Sequence, residues 1–112
     1  MKEIQEIKEL TALIFKIDYF NREGGRYAYL QFLYYSREIL VRLQQLQLDE
    51  KVRRMQIIRE ELNEQVGMKF EKPQQIIFVG KQIEINELLQ NLENELKQRP
   101  LVFEEFHALK AS

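Results

Sequence analysis

A chain of 112 residues with 45% apolar and 31% charged residues is globular rather than disordered, and long enough to bury one core. Its 17 Lys and Arg nearly cancel 18 Asp and Glu, leaving a net charge of −1 and no global pull toward nucleic acid or anionic lipid. With no cysteine, disulfides, thiolate metal sites and thiol nucleophiles are excluded together.

The length favours a single domain over residues 1–112. The N-terminal MKEIQEIKEL carries acids where a secretory signal needs an apolar stretch, and no run approaches the roughly 18 apolar residues of a bilayer span. A cytoplasmic protein is the expectation, with no membrane partner.

In chain order, Ile4, Ile7 and Leu10 fall at helical spacing and predict a short N-terminal helix over residues 1–9. TALIFKIDYFNREGGRYAYLQFLYY then turns rich in β-branched and aromatic residues, which suit a pleated surface. The Gly24-Gly25 pair suits a tight turn, so residues 11–20 and 26–35 read as a β-hairpin. REILVRLQQLQL alternates through Ile39, Val41 and Leu43 and predicts a third strand over residues 37–48. A rival reading makes residues 26 to 48 one helix, the second arm of a helical hairpin.

DEKVRRMQIIREELNEQVG is a helix, with Val52, Met55, Ile58, Leu62 and Val66 as its buried stripe, Asp49 as its cap and Gly67 at its end. QQIIFVG follows Pro73 as a short buried strand, with Gly80 as its turn and Ile83 and Ile85 on a brief returning arm. Asn86 then caps a helix that buries Leu88 or Leu89, Leu92 and Leu96 and stops at Pro100. The last segment reads as a short strand or a tail, with residues 107–112 frayed. The expected fold class is therefore α+β: an antiparallel sheet of about four or five strands with two main helices packed on one face.

Catalytic signals are weak. Gly80 is followed by KQIEIN, without the further glycines and Lys-Ser/Thr pair that cradle a phosphate. His107 is the one histidine, and no metal-ligand spacing surrounds it. Ser36 and Ser112 lack a nucleophile-elbow context. Adjacent carboxylates such as Glu60 and Glu61 diverge by about 100° on a helix, so they do not form an acid/base pair. No catalytic residue, metal, cofactor or small-molecule substrate is expected.

The hairpin carries more information. If Leu13, Phe15, Ile17, Ala28, Leu30, Phe32, Ile39 and Val41 face the helices, the opposite sheet face shows Ile14, Lys16, Tyr27, Tyr29, Leu33, Tyr35, Leu40 and Arg42. An aromatic face of that kind is usually covered. Lys16, Tyr27, Tyr29, Tyr35 and Arg42 are the candidate partner-binding residues, for a protein partner or a homodimer. The alternative is an RNA-binding regulator, with single-stranded RNA stacked on the tyrosines and phosphates on Lys16 and Arg42. In the bland reading the tyrosines pack at the core edge with wet hydroxyls.

Residues 72–97 also resemble the C-terminal domain of CobW-type GTP-binding metallochaperones. Gln74, the IIFVG of residues 76–80, Ile83, Leu88, Leu92 and Leu96 carry the likeness, and the elements before them follow in a compatible order. Lys16 matches a basic residue of the family's first strand. Ile17 stands where the family has glycine, Glu84 where it has Asp, and Glu95 where it has Cys. The GTPase half is absent. The resemblance implies a freestanding accessory domain without GTPase activity. Both routes lead to a non-enzymatic accessory or interaction domain.

Overall fold

The computed structural model describes residues 2–19, 24–67 and 75–98. Four helices account for nearly all of them: α1 (Lys2–Phe15), α2 (Gly24–Gln45), α3 (Asp49–Gly67) and α4 (Gln75–Gln98). No strand occurs among the described residues, so the α+β expectation is wrong. The expected strands over 11–20, 26–35, 37–48 and 76–80 are helical wherever they are regular.

The reason lies in a competing period. In α2, Ala28, Phe32, Ser36, Ile39 and Leu43 are all buried, a 4-4-3-4 spacing that puts them on one helical face. The β-branched and aromatic richness that suggested a strand coexists with this stripe. Aromatic β-preference is weak and yields to whichever surface can be buried. Gly24 and Gly25 open α2 rather than turn a hairpin. The helical rival over residues 26–48 is thus the right one, ending at Gln45.

The N-terminal helix runs past residue 9 to Phe15, because Ile7, Thr11 and Ile14 continue its buried face. Thr11 sits there at little cost, since its hydroxyl donates to the Ile7 carbonyl at 2.8 Å. α3 matches its expected span, with Met55, Ile58 and Leu62 buried and Val52 packed at the edge. Its start differs in detail. The Val52 N–H donates to the Leu48 carbonyl at 2.9 Å, so Leu48 holds the cap position and Asp49 is the first helical residue. In α4 the helix begins eleven residues before Asn86, with Phe78, Lys81, Gln82 and Ile85 extending the Leu88–Leu92 stripe. Gly80 lies inside it and turns nothing. The expected end segment over residues 101–112 lies outside the described residues.

The helices form a ring in which α1 touches α2, α2 touches α3, α3 touches α4 and α4 returns to α1. Cross-helix pairs give the directions. Lys8 meets Glu93 while Ile14 meets Gln82, and Lys51 meets Glu95 while Glu61 meets Lys81. Tyr29 meets Asn63 while Ser36 meets Arg59. Each neighbour therefore runs antiparallel to the next, which is an up-down-up-down four-helix bundle. α2 and α4 sit on opposite corners and run the same way. Phe32 and Phe78 join those corners through the core, with ring centroids 5.6 Å apart, and the Tyr19 ring also lies 5.6 Å from Phe78.

Candidate interaction surface

Around the α2 axis, Tyr27, Leu30, Tyr34 and Val41 follow a 3-4-7 spacing, and Arg37 fills the gap. At about 100° per residue this stripe points about 180° away from the Ala28–Leu43 core stripe. All four apolar members are exposed, Leu30 by 53% and Tyr34 by 63%. α2 is thus apolar on two opposite faces, and the bundle uses one. A helix apolar all round is normally a buried helix.

Beside this ridge, α1 and α2 flank a cleft of about 280 Å³ lined by Leu13, Lys16, Ile17, Asp18, Tyr27, Gln31 and Tyr35. Three of the five expected partner-binding residues, Lys16, Tyr27 and Tyr35, meet there. The Tyr34 and Tyr35 rings touch edge to face at 5.6 Å, linking the cleft to the ridge.

The other two are elsewhere. Tyr29 turns to α3, and its hydroxyl donates to the Asn63 side-chain oxygen. Burial pushes its phenol up, and the neighbouring Arg59 cation partly offsets that. Arg42 is held between α1 and α2, with Nε 2.5 Å from Glu6, Nη1 2.8 Å from the Glu38 carboxylate and 3.0 Å from the Glu38 carbonyl. These hydrogen bonds, Glu38's first, raise its guanidinium above the usual arginine range. Arg42 works inside the fold. A second, polar cleft of about 450 Å³ surrounds it, lined by Lys2, Glu3, Glu6, Glu38, Val41 and Gln45. The single aromatic sheet face that gathered all five residues, and on which the RNA alternative relied, does not exist. Of its expected inward set, Leu13, Phe15, Leu30 and Val41 are exposed, and Ile14 of the outward set is fully buried.

Hydroxyl chemistry finds little room. Ser36 is fully buried; its Oγ donates to the Leu33 carbonyl at 3.2 Å and accepts from Arg59 Nε at 3.0 Å. Arg59 Nη2 reaches the Leu33 carbonyl at 3.5 Å. Burial, with Arg37 nearby, lowers the Arg59 guanidinium, and Tyr29 opposes the shift. Among the described residues, no group of three His, Asp or Glu is placed to hold a metal ion. No helix of the described residues is long and apolar enough to cross a membrane.

A second outer stripe lies on α4, where Ile76, Val79 and Ile83 are exposed at 3-4 spacing. Reading by alternation missed both outer stripes. Their signal was a second 3-4 period set opposite the first.

These features define an up-down four-helix bundle with unpartnered apolar faces on two opposite corners. No family model, curated protein or solved structure matches the chain.

Proposed function

We propose that this chain is a non-enzymatic interaction domain that binds a protein partner or itself. The observation that carries the reading is the outer stripe of α2, an exposed apolar ridge directly opposite the helix's own core face. A ridge with 3-4 spacing suits the grooves of another helix. The non-enzymatic reading is supported by the Thr11 and Ser36 hydroxyls, each of which donates to a nearby backbone carbonyl. A cysteine-free chain suits a reducing compartment, and the cytoplasm is the compartment proposed.

The test is a photo-crosslinking residue placed at Tyr34 in cells, with adducts identified by mass. The expected result is a discrete protein adduct that disappears when Leu30→Glu is added. Equal labelling at Tyr34 and at the exposed α3 position Glu60, which lies on neither stripe, or no adduct at Tyr34, Leu30 and Ile83 alike, overturns the reading.

A further inference from the structure

We infer that the occupant of the α2 outer stripe is the α4 outer stripe of a second copy of this chain, docked head to tail. This rests on the interaction reading above and goes further by naming the partner and its docking face.

Height is the first argument. Through α3, Tyr29 meets Asn63, and two residues before Asn63, Glu61 meets Lys81. Tyr29 and Val79 therefore lie nearly level in the bundle. Through α1, Leu13 shares a cleft with Tyr27, Gln31 and Tyr35, while the carbonyl of the next residue, Ile14, accepts from Gln82 at 2.7 Å. Tyr34 and Ile83 therefore lie within about one helical turn of each other in height. The two routes around the ring agree to within about one helical turn. Tyr27, Leu30 and Tyr34 stand within about a turn of the heights of Ile76, Val79 and Ile83, with the same 3-4 spacing, so a small shift along the axis brings them into register.

Direction is the second. α2 and α4 run parallel on opposite corners, and their outer stripes face opposite ways. A copy shifted sideways along that diagonal and slightly along the axis, without rotation, brings its α4 stripe onto this α2 stripe in parallel and in register. Such a contact is heterologous: each copy leaves one face of each kind free, so the assembly stays open.

Charge is the third. Arg42, Glu84, Glu93 and Glu95 are already paired within the bundle, so the charges nearest the two stripes are Arg26 and Arg37 on α2 and Glu87 on α4. In the same register Arg37 falls beside Asn86 and Glu87. An α2–α2 pairing would instead bring two basic helices together. The shared ridge, residues 27–34 against 76–83, is only about 11 Å long, so the contact is weak and concentration-driven.

The experiment uses light scattering after size exclusion on the whole chain up to about 1 mM, the range in which weak contacts populate. Leu30→Glu blocks the α2 face and Ile83→Glu blocks the α4 face. Both residues are exposed, and circular dichroism checks that each variant keeps the wild-type helix content and melting. The wild type is expected to grow in mass with concentration, and more at low salt than at high salt. Each variant alone stays monomeric. Their equimolar mixture gives a 1:1 dimer and nothing larger, because one copy still offers α4 and the other still offers α2. A mixture that stays monomeric overturns the inference. So does Ile83→Glu alone forming a dimer, which would make the contact α2 on α2. A wild type monomeric throughout overturns it as well; the Tyr34 crosslink then decides separately whether another protein covers the ridge.

Discussion

The Leu48 N–H donates to the Leu43 carbonyl at 3.1 Å, closing a loop that ends α2 and starts α3. Inside it the Gln47 N–H donates to the Gln44 carbonyl at 3.0 Å, and Gln47 sits at φ 58°. The pair of bonds is a Schellman cap with a non-glycine residue in its left-handed position. Leu48 packs against the core, completing the apolar contact that accompanies such caps. Gln47→Gly is expected to raise stability by about 0.5–1 kcal/mol, the relief of left-handed strain less the entropy glycine adds to the unfolded chain. The urea midpoint measures it; a lower midpoint contradicts the account.

Gly80 gives a second gain. It lies within α4, and a Cβ built there meets nothing within 4 Å. Gly80→Ala should stabilise the bundle by about 0.5–1 kcal/mol through helix propensity alone. Thermal melts suffice to check this. A loss of stability would show that the position needs a bare backbone.

Phe32 and Phe78 bind opposite corners through the middle of the core. Both are fully buried. Either one changed to Ala should cost about 3–5 kcal/mol. The double variant should cost less than the sum by about 0.5–1.5 kcal/mol, because each ring loses its partner only once. Strict additivity in a denaturant double-mutant cycle would mean that the rings do not interact.

The Glu61–Lys81 pair predicts a pH dependence. The hydrogen bond from Lys81 holds the Glu61 carboxyl below the usual carboxylate range, against a smaller upward push from burial. Burial alone would lower Lys81, but hydrogen bonds and charge from Glu61 and Glu84 leave its ammonium above the usual range. Because Glu61 is depressed in the folded state, its contribution is present above about pH 4.3 and lost as pH falls through the lower folded value. The raised Lys81 contributes fully below about pH 10.4 and loses its contribution as pH rises through its folded value. Glu61→Gln should therefore flatten the acid limb of a urea midpoint-against-pH curve. A limb unchanged from wild type removes this pair as its source.

α3 was legible because its code is unambiguous: one apolar stripe, strong helix formers and a bounded span. The four leucines of the second half of α4 were legible for the same reason. α2 was not, because it carries apolar residues on two opposite helical faces. Superposed stripes leave few polar gaps to mark a helical period, so the aromatic and β-branched richness of residues 26–35 read as a strand. The start of α4 failed likewise, since Ile76, Ile77, Phe78 and Val79 serve an outer stripe, an edge and the core in turn. Among the expected site residues, Lys16, Tyr27 and Tyr35 do line one cleft. Tyr29 and Arg42 were spent on neighbours distant in sequence, Asn63 and Glu6, which no local pattern reveals.

Composition by itself determined that this chain has one core's worth of apolar residues, no thiol chemistry and nearly balanced charge. It also carried, unrecognised, the two periods of α2. Only the tertiary structure decided which period was turned inward. Burial is a property of what packs alongside: α1, α3 and the reach of Phe78 claim the Ala28–Leu43 face and leave Tyr27, Leu30, Tyr34 and Val41 to water. A sequence states which residues prefer to leave water, but the number of neighbours available to cover them is settled only when the helices assemble.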